Sequence, residues 1–162
     1  MRNTKIGDIF LVNLGDYKKY FQYIADDLTQ LNSNVIRAFK KKYTIDSTPD
    51  TIEIVKGEID FYAHCIIKLG IKKSLWNKVG NESEISGLDE ILFRDTNDYA
   101  RRGDEEPIKI SNNWYVWKIN QPFIRVGKLD WEHKKSYLGL VINPKGILEL
   151  LKGNEYPSNY PK

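Results

Sequence analysis

Cysteine, histidine and methionine are scarce in this sequence. Its 162 residues include one cysteine, two histidines and one methionine. The single cysteine, Cys65, excludes an internal disulfide, and its position in the apolar run 61–67 predicts a buried, unreactive thiol. We therefore expect a protein that works in a reducing compartment.

Long apolar runs are missing as well. The first residues, up to Asp8, carry charge but contain no apolar stretch of signal-peptide length. No later segment approaches the roughly 18–20 consecutive apolar residues that span a membrane. We therefore expect neither a secretion signal nor a membrane anchor, and we place the protein in the cytoplasm.

Ligand sets for metals and motifs for nucleotide cofactors are also absent from the sequence. His64 and His133 are about seventy residues apart, so that together with Cys65 they cannot provide a zinc-binding pattern, and there is no EF-hand loop. The glycines do not form the G-x-G-x-x-G or G-x-x-x-x-G-K-[ST] patterns that bind phosphates. The sequence predicts no metal and no cofactor.

Histidine offers little for nucleophilic catalysis, which needs a nucleophile beside a base. His64 precedes Cys65 in an apolar segment of strand composition, where adjacent side chains point to opposite faces and cannot form a dyad. His133 lies in a polar, turn-like setting, where an exposed histidine is ordinary. Both histidines are therefore interpreted as structural or solvated.

Three pairs of adjacent carboxylates are the remaining candidates for acid–base chemistry: Asp26-Asp27, Asp89-Glu90 and Glu105-Glu106. General acid–base catalysis needs carboxyl groups that are buried and converge, whereas neighbouring carboxylates in polar stretches are usually solvated. We predict that the protein is not an enzyme and that it works by binding another macromolecule.

The apolar residues that are present follow strand-like patterns through most of the chain. Hydrophobic residues make up 41% and aromatic residues 12% of the sequence, enough for one well-packed domain. The first two apolar segments are separated by a turn at 15–17 and predict a hairpin. Runs of β-branched and aromatic residues predict strands over 5–14, 20–25, 31–43, 58–69, 108–110, 114–119, 123–129 and 137–142.

Helices are predicted at fewer places. The segment 70–80 has apolar residues at helical spacing between glycines, and a helix beginning at Asn143-Pro144 has a suitable N-cap and ends before Gly153. The segment 51–55 is either a strand or the start of a helix, and 94–106 is predicted to be an exposed loop. Together the elements predict one α+β domain over residues 1–162, mainly β: a curled, partly closed antiparallel sheet with two or three short helices, one of them near the C-terminus.

Charge is distributed unevenly along the chain. Residues 1–81 carry 13 basic against 9 acidic side chains, residues 82–106 carry 3 against 9, and residues 107–162 carry 9 against 4. The net charges are therefore +4, −6 and +5. This acidic segment between two basic flanks is more informative about a partner than the overall charge of +3.

Two tryptophans close to the acidic segment are candidate anchors for a protein partner. Trp114 and Trp117 occur in one predicted strand, so their side chains point to opposite faces. We expect one of them in the core and the other exposed, where an aromatic anchor with charged surroundings gives binding energy and orientation.

A basic and aromatic cluster supports an alternative function. Arg37 and the three consecutive lysines Lys40, Lys41 and Lys42 form a cluster with Phe39 and Tyr43 at the end of a predicted strand. Small curled β domains bind single-stranded nucleic acid through such surfaces. The alternative is therefore a small β-barrel-like nucleic-acid-binding module, although a short lysine run is more often a solvated strand edge.

Four segments of the chain, in their order and spacing, resemble a known family. They are 6–12 (IGDIFLV), 20–24 (YFQYI), 76–80 (WNKVG) and 139–144 (GLVINP). This pattern is similar to immunity protein family 26 of bacterial polymorphic toxin systems. The resemblance implies a cytoplasmic antidote that binds a cognate secreted toxin and neutralises it, with no catalytic residue.

The acidic segment then becomes a candidate interface. Many toxins of such systems are nucleases with basic clefts, and an acidic surface on the inhibitor would mimic the charge of the substrate and speed association. From the charge distribution we predict a partner-binding surface that contains Asp89, Glu90, Asp95, Asp98, Asp104, Glu105 and Glu106, with Trp114 and Trp117.

Overall fold

The computed structural model describes residues 3–99 and 106–162 of the chain, which form ten strands and three α-helices. The strands are β1 (Asp8–Asn13), β2 (Lys18–Asp27), β3 (Ser33–Phe39), β4 (Ile59–Cys65), β5 (Asn77–Asn81), β6 (Leu92–Thr96), β7 (Trp114–Lys118), β8 (Ile124–Gly127), β9 (Tyr137–Leu138) and β10 (Val141–Ile142). The helices are α1 (Thr51–Val55), α2 (Ile67–Lys72) and α3 (Pro144–Leu151), and short 3-10 turns lie at Leu88–Glu90, Asn97–Tyr99 and His133–Lys135.

The larger of two sheets has six strands in the order β10-β4-β3-β2-β1-β5 and is antiparallel except for the β10 and β4 pair. The predicted hairpin of the first two strands is confirmed, with Ile9 opposite Gln22 and Asn13 opposite Lys18. Gly15 lies in the connecting turn with a φ of +102°, a left-handed conformation that glycine adopts without steric cost.

The smaller sheet has the order β8-β7-β6-β9 and is antiparallel except for the β6 and β9 pair. The strands predicted at 114–119 and 123–129 are confirmed as the antiparallel neighbours β7 and β8. The segment 137–142, predicted as one strand, is divided: β9 pairs with the smaller sheet and β10 with the larger. Gly139 lies at the division, where a Cβ atom would meet the Trp117 ring at 2.0 Å.

The core lies on both faces of the larger sheet, because side chains alternate between the faces along each strand. One face, which includes Phe21 and Ile36, packs against α2, α3 and the side chain of Trp76. On the other face, Ile24 and Val35 pack against Phe93 and Trp117 of the smaller sheet. The two sheets are therefore joined by an apolar layer.

The fold class is confirmed in its main features: the protein is mainly β, its sheets are not closed, and α3 lies near the C-terminus. Asn143 caps α3 as expected, since its side chain accepts a hydrogen bond from Gly146 N. The ambiguous segment 51–55 is the helix α1, which Asp50 caps.

Three local predictions were wrong. The helix expected at 70–80 is α2, which starts earlier and ends at Lys72; Ser74 then takes a φ of +57°, and the chain continues as β5. Residues 108–110 do not form a strand, because Lys109 and Ser111 exchange backbone hydrogen bonds with Lys162 instead. The loop expected at 94–106 begins with strand residues, since Arg94 pairs with Val116 in the smaller sheet.

Within the described residues, no helix is long and apolar enough to cross a membrane.

Candidate partner-binding surface

Trp114 and Trp117 are both buried, with 1% and 2% exposure, so neither is the exposed anchor that the sequence suggested. Their strand β7 lies between β8 and β6, and both of its faces are covered. Trp117 faces the larger sheet, where its Nε1–H donates to Asp27 Oδ2 at 2.9 Å. Trp114 packs at 5.9 Å between ring centroids against Tyr160, near the C-terminus.

Asp95 and Asp98 are not the exposed carboxylates that the interface hypothesis required. Asp95 is only 9% exposed. Its carboxylate accepts hydrogen bonds from Tyr160 Oη at 2.7 Å and from Tyr115 Oη at 3.0 Å. Burial raises the pKa of Asp95, and these hydrogen bonds oppose the rise. Asp98 is half-buried and accepts from Ser111 Oγ at 2.7 Å. Both carboxylates therefore hold one end of the smaller sheet together.

The other predicted acidic residues have different positions. Asp104 and Glu105 lie outside the described residues, and Glu106 is exposed. Asp89 and Glu90 are exposed on the 3-10 turn Leu88–Glu90, where the half-buried Leu88 packs on the apolar layer between the sheets. Because Leu88 anchors the turn, the two carboxylates that follow it face solvent.

A groove of about 450 Å³ begins beside this turn. Its lining includes Glu90 and Glu132, with the half-buried rings of Tyr62 and Tyr137 between the sheets. The two rings meet edge to face with their centroids 5.1 Å apart. Among the described residues, neither glutamate has an ion-pair partner closer than 4 Å. Lys135 also lines the groove, so that two carboxylates and one ammonium group leave it a net charge of −1.

Trp131 is an exposed aromatic residue that the sequence analysis did not identify as a candidate. Its side chain is 72% exposed and stands between Asp130 and Glu132 in the chain. The backbone N–H of His133 donates to Asp130 Oδ1 at 2.9 Å, which fixes the turn that presents the tryptophan. In the sequence, a single tryptophan with charged neighbours on both sides could have indicated this exposed position. We call Asp89, Glu90, Trp131 and Glu132 the acidic aromatic surface.

The basic cluster proposed for nucleic acid is partly neutralised. Lys40 Nζ lies 3.0 Å from Glu58 Oε1, and Lys41 Nζ lies 3.3 Å from Glu53 Oε1. Arg37 is half-buried, and its Nε–H donates to the side chain of Gln22 at 2.8 Å. Lys42 lies over the ring of Tyr17. The cluster therefore presents fewer than four unpaired positive charges on the surface. Binding of a nucleic acid with a steep dependence on salt requires such unpaired charges.

His64 is fully buried and belongs to the joint between the sheets. Its Nε2 lies 2.9 Å from Asp27 Oδ2, and its ring packs against Phe93 with centroids 4.2 Å apart. Burial lowers the pKa of His64, against the raising effect of Asp27, so the imidazole is neutral and donates to the carboxylate. Cys65 belongs to the cluster on the opposite face of the larger sheet. This geometry matches the structural role expected for His64 and keeps it apart from the thiol.

The family model described as Immunity protein 26 matches residues 5–104, which include β1 to β6 and the acidic turn at Leu88–Glu90. Curated proteins and solved structures give no match.

Proposed function

The chain belongs to the immunity protein 26 family, and from this premise we propose that it binds a cognate toxin protein and neutralises it in the bacterial cytoplasm. The observation that supports a specific mode of binding is the acidic aromatic surface. It combines three exposed carboxylates with a tryptophan that is 72% exposed. A partner that covers this side chain removes its apolar surface from water, which favours binding.

We further propose that the toxin is a nuclease whose phosphate-binding cleft accepts this surface. A nuclease cleft is basic because it holds the phosphates of its substrate. Among the described residues, Asp89, Glu90 and Glu132 have no ion-pair partners. Lys135 lies beside them, with its Nζ 5.8 Å from the centre of the Trp131 ring, and the three carboxylates outnumber it. Complementary fields of this kind accelerate encounter and orient the partners before contact.

Trp131 is proposed as the anchor at the centre of the contact. A tryptophan that becomes buried at the middle of an interface typically contributes 2 kcal/mol or more, whereas charges at the rim contribute mainly to association rate. The groove beside Glu90 and Glu132 then receives a basic side chain of the toxin, for which the ring faces of Tyr62 and Tyr137 offer additional cation–π contacts.

Binding kinetics with the toxin domain encoded beside this gene test the proposal. We expect Asp89→Lys combined with Glu90→Lys to slow association about tenfold at low salt and to make it less sensitive to salt. Trp131→Ala is expected to increase the dissociation rate about thirtyfold, which corresponds to about 2 kcal/mol. Asp46→Lys, an exposed carboxylate in another loop, is the matched control and should leave both rates unchanged.

Two results would count against the proposed mode of binding. If the surface variants bind the toxin with wild-type rates, the toxin contacts another part of the protein. If wild-type protein captures oligonucleotides in a salt-sensitive manner and ignores the toxin, the nucleic-acid alternative replaces the antidote.

A further inference from the structure

A second groove, different from the acidic one, lies on the smaller sheet and measures about 520 Å³. Strand β7, the irregular stretch at 110–112 and the turn after β8 form its walls. The side chains that matter for its chemistry are Arg94, Ile110, Trp114, Lys128, Leu129 and Lys134.

The groove is strongly cationic. Its lining includes Arg94, Lys128, Lys134 and Lys162. Within residues 3–99 and 106–162 none of these four side chains has an ion-pair partner, and no acidic side chain lines the groove. The carboxylates of the same sheet end, Asp95 and Asp98, accept hydrogen bonds from tyrosine and serine hydroxyls instead. Four cationic side chains therefore line one concave site that has no acidic side chain.

Arg94 supplies a preorganised donor at this site. Its Nη1 donates to the backbone oxygen of Ser136, and its guanidinium carbon lies 5.8 Å from the centre of the Trp114 ring. The Nε–H is buried without a hydrogen-bond partner, and Nη2 has none within the described residues. Nε and Nη2 form the edge of a guanidinium that binds two oxygens of one anion side by side. A buried N–H group without an acceptor is unfavourable, and an anion that accepts a hydrogen bond from it removes this free-energy cost.

The groove also has an apolar part. Ile110 is 71% exposed at its rim, Leu129 is half-buried, and the buried Trp114 forms part of its lining. A ligand with an anionic group and an attached organic group would cover these side chains with the organic group, while the anionic group contacts the cationic side chains. The volume lies within the range of about 300–1,000 Å³ that is usual for small-molecule sites.

From these features we propose that the groove is a binding site for a small phosphate monoester. The arginine edge and two lysines match a dianionic phosphate better than a monoanionic carboxylate, because the second negative charge gains from each additional cation. The organic group is either a nucleoside or a sugar, and both carry the same phosphate chemistry. This site is separate from the acidic aromatic surface, and its ligand is measured on the protein alone.

Titration monitored by NMR tests the proposal with four probes: inorganic phosphate, a nucleoside 5′-monophosphate, a hexose 6-phosphate and the corresponding uncharged nucleoside. We expect saturable shifts at the Trp114 indole N–H and the Ile110 amide with the phosphates and none with the nucleoside. Tighter binding of the nucleotide than of the sugar phosphate, or the reverse, identifies the organic group.

Variants separate a built site from general charge attraction. Lys128→Gln combined with Lys134→Gln changes two exposed side chains and should weaken phosphate binding at least tenfold without affecting the fold. Lys118→Gln, an exposed lysine that does not line the groove, should have no effect. Arg94→Lys keeps the charge but loses the paired donors, so it should also weaken binding at least tenfold. Absence of saturable shifts, or equal losses with Lys118→Gln and the double variant, would overturn the proposal.

Discussion

Replacement of Asp27 tests how the two sheets are held together. Its side chain is fully buried and accepts four hydrogen bonds: from His64 Nε2 and Trp117 Nε1 at 2.9 Å each, and from the backbone N–H groups of Asn120 and Gln30 at 3.1 and 3.2 Å. These donors come from both sheets and from two turns. Although burial raises the pKa of Asp27, the hydrogen bonds outweigh it and keep the carboxylate ionised.

In Asp27→Ala, the donors of His64 and Trp117 lose their acceptor while they remain almost fully buried. Each buried donor without a partner costs about 1–3 kcal/mol, so we expect the free energy of unfolding to fall by about 2–6 kcal/mol. The loss is a large part of the roughly 5–15 kcal/mol that stabilises an ordinary domain. Urea denaturation at neutral pH, followed by tryptophan fluorescence, measures it.

A matched control and a double-mutant cycle make this prediction specific. Asp46→Ala removes an exposed carboxylate and should change stability by less than about 0.5 kcal/mol. In a Trp117→Phe background one donor is already absent, so the effect of Asp27→Ala should shrink by about 1–3 kcal/mol. A loss below about 1 kcal/mol in Asp27→Ala, or no coupling to Trp117, would refute the view that Asp27 joins the sheets.

Three further predictions concern buried side chains. Because burial lowers the pKa of His64 below 6.5, the unfolded chain binds a proton that the folded protein does not; stability should fall as the pH drops below that value. His64→Gln should flatten this dependence between about pH 7 and 5, as measured by denaturation at each pH. In Gly70→Ala the new Cβ would lie 2.0 Å from the Trp76 ring, and we expect a loss of about 1–3 kcal/mol in the same assay. Burial raises the pKa of Cys65 to about 12, so a thiol reagent should react only after denaturant is added; rapid reaction of the native protein would contradict the structure.

The regular parts of the fold were predictable because local pattern and tertiary structure agree there. Side-chain alternation and a turn glycine identified the β1 and β2 hairpin, and an asparagine followed by proline identified the start of α3. The division of 137–142 between two sheets was not predictable, because it depends on contact between Gly139 and Trp117, which are distant in sequence. The helix at 70–80 was misplaced because the apolar spacing of Trp76 reflects packing onto α2 rather than membership of a helix.

The candidate surface was only partly predictable, since charge in the sequence does not show which side chains are exposed. Asp95 and Asp98 counted toward the acidic segment but accept hydrogen bonds inside the sheet. Trp117 is buried where the smaller sheet meets the larger one, and its Nε1–H donates to Asp27. This contact joins residues that are distant in sequence, so no local pattern predicts it. Trp131 was overlooked because its turn has no periodicity, although its charged neighbours are typical of an exposed position.

The most direct test of the antidote function is a growth-rescue assay. Bacteria that express a candidate toxin from a neighbouring gene are compared with and without this protein, and with Trp131→Ala as a folded variant of the proposed surface. The account predicts full rescue by the wild-type protein and reduced rescue by the variant. Failure of the wild-type protein to restore growth, at an expression level equal to or above that of the toxin, would contradict it.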